Sequence, residues 1–266
     1  DLTNARVGIT KPDDYLRTLS DAIHTMRNRP GARVQSLAES SFDAWIKFSR
    51  STPDDANFTV SFYDVGALAS LLMDMELRSR TKNRVSLDDG MREMYRRFPL
   101  SGNGYTTADM IALLEAISES PWDDFFARYI NGTSQYPFES ALEVVGLELS
   151  IQSEKKRNGG AVVRSVLSDG PAHAAGVMLG DEIVAVNGRR VSASQFDEWI
   201  GLLQPGDAVT LYIIRRDELR TVAFKLAGKP NGRWKVSRMK DPTDSHKAAY
   251  QSWLHQEWPK KSSEET

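Results

Sequence analysis

The chain of 266 residues contains no cysteine. That removes disulfides, cysteine nucleophiles and thiolate metal ligands from consideration, while leaving the cellular compartment open. Charge of one sign is also lacking. Lys and Arg number 34 against 36 Asp and Glu, a formal net charge of -2. No large basic surplus is available to meet phosphates, which argues against a dedicated nucleic-acid binder. Histidine occurs only at His24, His173, His246 and His255, never as an i, i+4 pair. No uninterrupted apolar run reaches the ~20 residues of a membrane span, and the first residues carry no signal-peptide pattern. Asp1 reads as the middle of a longer protein, so an upstream signal or domain is expected to be missing. What is present is a globular composition, 40% hydrophobic and 9% aromatic, with the length for two compact domains of roughly 100–200 residues.

The first half is patterned as helices. Tyr15, Leu16, Leu19, Ile23 and Met26 recur at helical spacing behind the acidic pair Asp13 and Asp14, and Pro30-Gly31 ends the run. A second helix is predicted from about Leu37 to Phe48. Thr52-Pro53-Asp54-Asp55 is predicted as a loop, and a very apolar helix follows from about Tyr63 to Arg78. Ser86-Leu87-Asp88-Asp89 and Thr106-Thr107-Ala108-Asp109 carry an acidic residue three positions after a hydroxyl, the signature of a helix start. A last helix is predicted from Pro121 through Trp122, Phe125, Phe126 and Tyr129 to Asn131-Gly132.

After about Gly146 the period changes to two. Leu147, Leu149 and Ile151 alternate, as do Val209, Leu211 and Ile213, and then Val222, Phe224 and Leu226. Gly159-Gly160, Asp169-Gly170, Asn187-Gly188 and Pro205-Gly206 supply turns. Three segments, Gly146-Leu147-Glu148-Leu149, Gly170-Pro171-Ala172-His173-Ala174-Ala175-Gly176-Val177 and Leu179-Gly180-Asp181-Glu182-Ile183-Val184-Ala185-Val186-Asn187-Gly188, together resemble PDZ domains, especially those attached to bacterial proteases. The resemblance implies peptide binding by strand addition beside a glycine-opened loop, with a helix as the second wall. The expected peptide-binding residues are Gly146, Leu147, Glu148 and Leu149 on the loop and strand, and Gln195 and Trp199 on the helix Ser194 to Leu203. Glu148 would repel a C-terminal carboxylate, which favours internal segments or no external ligand.

The helical half adds Gln35-Ser36-Leu37-Ala38-Glu39-Ser40-Ser41-Phe42-Asp43-Ala44-Trp45-Ile46-Lys47, Val60-Ser61-Phe62-Tyr63-Asp64-Val65-Gly66-Ala67-Leu68 and Asp124-Phe125-Phe126-Ala127-Arg128-Tyr129. With Asp1-Leu2 at the start and Tyr250-Gln251-Ser252-Trp253-Leu254 near the end, they resemble the glycyl-aminopeptidase family of zinc metallopeptidases, whose members carry a PDZ domain after the catalytic domain. That resemblance implies an α+β multidomain protein. Residues 1–140 would be the helical part of a thermolysin-like or aminopeptidase-N-like catalytic domain, 145–228 a PDZ domain, and 229–266 an extension with a short helix and a disordered end. It implies zinc, held by H-E-x-x-H and a downstream glutamate. No H-E-x-x-H occurs in this chain, so the metal belongs to the intact parent protein and this chain alone is expected to bind none and to be inactive. The resemblance places a catalytic tyrosine at Tyr63, donating its hydroxyl to the oxyanion of a tetrahedral intermediate. The family's lysine two positions on is Val65 here.

The implied partners are a peptide substrate or protein tail and the upstream zinc-binding part of the same protein, with no membrane span and a periplasmic or secreted bacterial location. A non-catalytic peptide-binding module on a helical scaffold is the alternative, and a purely structural role for both domains a third. Glu39 and Asp43 form an i, i+4 carboxylate pair, more in keeping with a solvated face than a metal site. Asn57-Phe58-Thr59 and Asn131-Gly132-Thr133 match glycosylation sequons by pattern alone.

Overall fold

The capping signals translate directly into helices in a computed structural model that describes residues 2–47, 52, 54–102, 104–152, 162–227 and 233–259. Asp1, Phe48, Pro53, the Gly159-Gly160 turn, Gly228 and the charged tail lie outside the described residues. The helices are α1 (Leu2–Arg6), α2 (Pro12–Asn28), α3 (Leu37–Phe42), α4 (Asp55–Phe58), α5 (Phe62–Arg80), α6 (Leu87–Arg97), α7 (Thr107–Ser118), α8 (Asp123–Phe125) and α9 (Phe138–Glu143). At α7 the Asp109 N–H donates to Thr106 Oγ1 at 3.3 Å, and the Thr106 N–H donates back to the Asp109 carboxylate at 2.8 Å. Ser36 and Glu39 close the same reciprocal box on α3. Each such cap is worth about 1 kcal/mol.

α3 is shorter than its apolar pattern predicts. Ser40 turns inward and donates to the Val60 carbonyl at 2.6 Å, tying α3 to the segment before α5. Asp43 then closes the helix and a turn follows. Short polar side chains of this kind compete with the helical backbone for hydrogen bonds. α5 is the central helix, and Leu68, Leu72, Met75 and Leu77 on different faces are all buried. By length and composition alone the stretch Asp55–Arg80 could cross a membrane, but half of its apolar window is buried inside this protein. The aromatic helix after Pro121 is split. α8 passes into a wider π turn over Phe126–Ile130, closed by the Asn131 N–H on the Phe126 carbonyl at 2.8 Å.

The second half holds β1 (Leu147–Gln152), α10 (Pro171–Ala174), β2 (Glu182–Val186), β3 (Arg189–Arg190), α11 (Ala193–Ile200), β4 (Ala208–Arg215), β5 (Glu218–Lys225), β6 (Arg233–Arg238) and α12 (Asp244–Leu254). β3, β2, β4 and β5 form one antiparallel sheet in that order. Asn187-Gly188 turns β2 into β3 with both residues at positive φ, as a two-residue hairpin of I′ type requires. The β4–β5 turn does the same with Arg216 and Asp217, without glycine. The core of this module gathers Val166, Val177, Ile183, Val209, Leu211 and Ile213, with Phe196 and Trp199 of α11 packed against it.

β1 stands apart from that sheet. It pairs antiparallel with β6, from Leu147 opposite Arg238 to Gln152 opposite Arg233. This two-stranded sheet packs into the helical core, where Leu147 and Val236 join Leu142, Tyr250 and Trp253. β6 itself had no counterpart in the sequence reading, which assigned residues 229–266 a single short helix. The chain is thus α+β, a helical body followed by a β-rich module, with one strand pair returning to the body.

Candidate functional site

Tyr63 lies in the first turn of α5. Ser61 caps that helix, its hydroxyl accepting from the Asp64 N–H at 3.3 Å. Tyr63 is 66% exposed, and its ring centroid lies 4.1 Å from that of Phe62. A phenol at this place stands near the positive end of a 19-residue helix, a setting that favours developing negative charge. Val65, where the family has lysine, is turned into the core. α3 packs beside this end of α5, with Leu37 3.9 Å from the position a side chain on Gly66 would take. The turn after α3 leaves Phe42, Trp45 and Ile46 exposed.

The six peptide-binding candidates fall into two places. Gly146 has φ +70°, and a β-carbon added there would meet His246 Cβ and the Trp258 ring at 3.0 Å. Leu147 is fully buried in the helical core, and Leu149 is packed against it. Glu148 is exposed, and the Ser237 hydroxyl donates to it at 3.4 Å. Gln195 accepts from the Ser192 N–H at 3.1 Å and from the Ser192 hydroxyl, which fixes the start of α11. Trp199 packs on the module core, with the Arg189 guanidinium 4.5 Å from its ring centroid. The β1 residues therefore belong to the helical body and the α11 residues to the other core. The side of β1 that holds Glu148 and Ser150 is occupied by β6.

β6 is anchored on its outer side as well. The Val236 N–H donates to Ser20 Oγ on α2 at 2.9 Å, Arg238 pairs with Asp13 at 2.6 Å, and Arg233 pairs with Asp21 at 2.7 Å. The Arg27 guanidinium lies 4.3 Å from the Trp234 ring centroid. Side chains from a helix thus cover what would be a raw sheet edge.

Among the described residues no group of three or more His, Asp or Glu is placed to hold a metal ion. Zinc therefore does not fit the side chains described here. Glu39 is committed to its capping box, which lowers its pKa through hydrogen bonds from Ser36. Asp43 pairs with Lys47. His24 faces the Trp234 N–H at 3.4 Å, and His246 caps α12.

Two polar constellations went unread in the sequence. Asn57 is buried and clamps the β-rich module to the helical body. Its amide donates to the Val166 carbonyl at 2.8 Å and accepts from the Ser168 N–H at 2.9 Å. This side chain is used internally and leaves no room for a glycan. Asp181, in the Gly180-Asp181 turn, accepts two bonds from Arg215, at 2.6 and 2.7 Å, and one from the Met178 N–H. The Arg215 hydrogen bonds hold its carboxyl below the usual range.

Residues 1–69 match the family model of the M61 glycyl aminopeptidases, and residues 146–226 match that of PDZ domains. The two-part resemblance read from the sequence is thereby borne out. Among solved structures, an aminopeptidase N family protein from Idiomarina loihiensis shares the fold with a TM-score of 0.80 over 95% of this chain and 46% of that one, at 24% identity. A probable periplasmic serine endoprotease of DegP-like type from Brucella suis is 30% identical over 101 residues, 38% of this chain and 19% of the relative. Mouse Rho GTPase-activating protein 23 is 33% identical over 96 residues, 31% of this chain and 6% of its own length. The chain spans about a fifth or less of the length of these curated relatives.

Proposed function

We propose that these residues serve a zinc metallo-aminopeptidase, one that removes N-terminal residues from peptides, as its portion downstream of the metal-binding motif. The M61 match over residues 1–69 is the premise. The observation that carries the reading is Tyr63, exposed at the N-terminal turn of α5 within that matched segment. In this role its hydroxyl donates a hydrogen bond to the oxyanion that forms when water adds to the scissile carbonyl, and the helix terminus supports the same charge. In this reading the zinc and its ligands lie outside these 266 residues, whose sequence contains no H-E-x-x-H. The chain alone is then inactive. The DegP-like relatives' printed periplasmic location supports an exported, periplasmic placement.

The test has two arms. Assayed on amino-acid amides with added zinc, the 266-residue chain shows no turnover, and turnover abolished by a chelator would overturn the proposal. In a longer protein that carries the metal motif upstream, Tyr63→Phe lowers kcat by about a hundredfold or more with KM little changed, the cost of one oxyanion donor. An unchanged kcat removes Tyr63 from the chemistry.

A second reading, peptide binding by the β-rich module, draws on the PDZ match over residues 146–226. The proposed contacts are Gly146, Leu147, Glu148 and Leu149 with Gln195 and Trp199. A peptide adding on the Glu148 and Ser150 side of β1 has to displace β6, so binding there is slow and weak until Arg238 and Arg233 let go. Titration of the chain with a peptide library, repeated on Trp199→Ala, decides between a groove that binds in solution and one that does not.

A further inference from the structure

A buried side-chain amide without an acceptor marks the strongest unassigned feature. Gln35, between α2 and α3, is 5% exposed. Its Oε1 accepts from the Val60 N–H at 3.0 Å, which fixes the plane of the amide. Its Nε2 is buried and donates to nothing among the described residues. A buried donor left in this state is costly unless something supplies an acceptor. Gln35 forms part of the wall of a cavity of about 290 Å³, bounded by the end of α2, α3, the start of α4 and the segment that leads into α5. That volume suits a small ligand.

The rest of the wall supplies positive charge. Arg29 is half-buried, and its Nε and Nη2 donate to the Thr59 carbonyl and hydroxyl, so the guanidinium is held in place. No carboxylate among the described residues pairs with it. Ser61, the N-cap of the 19-residue α5, also lines the cavity, which brings the positive end of that helix to its edge. Lys47 borders the cavity with its charge shared with Asp43. The one carboxylate in the wall is Asp55, and the Thr52 N–H and hydroxyl both donate to it. With Asp43 set against Lys47, a ligand meets Arg29, the Gln35 amide and the helix end. A planar guanidinium and a planar amide present N–H groups suited to a planar acceptor, the carboxylate. Asp55 opposes a second negative charge.

The geometry points to this cavity as a binding site for a small organic monocarboxylate. Gln35 Nε2 and the Arg29 guanidinium donate to its oxygens, and the N-terminus of α5 supports its charge. Nothing in this assignment depends on the peptidase reading.

The test follows the side-chain amide signals of Gln35 by NMR in the full chain, at pH 7 and low ionic strength. The probes are N-acetylglycine, its neutral analogue N-acetylglycinamide, and sulfate. N-acetylglycine shifts the Gln35 signals along a saturating one-to-one curve. The neutral analogue binds at least about tenfold more weakly, because only the carboxylate makes charge-assisted bonds, and sulfate binds more weakly than N-acetylglycine. Arg29→Gln and Gln35→Glu, which keeps the acceptor for the Val60 N–H, each lower the affinity tenfold or more. Lys47→Glu, at a side chain 49% exposed, puts a negative charge on the wall without disturbing the core and lowers it similarly, so it serves even if the other two variants unfold. Gln35 signals that N-acetylglycine leaves unmoved, equal affinity for the neutral analogue, preference for sulfate, or full binding by Lys47→Glu would each overturn the assignment.

Discussion

The N–H of Val236 on β6 donates to the hydroxyl of Ser20 on α2, 216 positions earlier in the chain, with both residues buried. Together with the Arg238–Asp13 and Arg233–Asp21 pairs, this bond fixes the outer side of the β1–β6 pair against the helical body. Ser20→Val removes the acceptor and leaves a buried amide unsatisfied, at a cost of about 1–3 kcal/mol. Urea unfolding measures it. A midpoint within error of wild type would mean that β6 is held by its ion pairs alone.

Gly146→Ala is expected to cost about 2 kcal/mol. Part is the left-handed backbone at φ +70°. The rest is the contact at 3.0 Å with His246 Cβ, which has no free end to swing away. If Gly146 were a plain exposed turn, only the first part would remain. A double mutant with Trp258→Ala recovers stability only if the contact with that ring contributes.

Asn57→Ala breaks both bonds to the Val166–Ser168 segment. Hydrogen exchange at the Ser168 amide rises, and limited proteolysis near Asp169-Gly170 accelerates, while the two cores keep their own protection. Unchanged exchange at Ser168 would show that the clamp does not hold the module.

Asp181 sets an acid limit on the β-rich module. Its carboxyl is held down, first by the Arg215 hydrogen bonds, then by the Met178 N–H. In the unfolded chain it returns to about 4. Its contribution is therefore complete above that value and fades as pH falls through the depressed folded value. Asp181→Asn lowers stability at pH 7 by about 3 kcal/mol, the scale of a broken buried pair. The gap between wild type and variant narrows below about pH 4, where the wild-type advantage is titrated away. A gap that stays constant from pH 7 to pH 3 would contradict the ion-pair account.

What could be read from the sequence was local. The starts of α6 and α7 were legible because a capping box is complete within four residues. The hairpin at Asn187-Gly188 was legible for the same reason. β6 was not, although Trp234 and Val236 alternate with Lys235 between two arginines. Its pairing depends on β1 and α2, far away in the chain, and six residues carry too weak a period to announce a strand. Gly146 was read as a loop glycine aimed at a ligand. The structure adds that a β-carbon there would crowd His246 and Trp258, which no local pattern connects to it. Tyr63 was placed through family resemblance, and only the fold shows that it stands in the open while Val65 is turned inward.

The β1–β6 ladder has a topological corollary. Because Gln152 faces Arg233 across the pair, everything from 153 to 232 departs from and returns to a single point on the helical body. The four-stranded sheet and α11 are in effect the contents of an enlarged hairpin loop. A short two-residue turn joining Gln152 to Arg233 would close the ladder without them and leave the body's core intact. The same junction would accept an unrelated domain whose termini lie close together. Besides that junction, Asn57 and the pairing of Arg33 with Asp169 clip the β-rich module to its host.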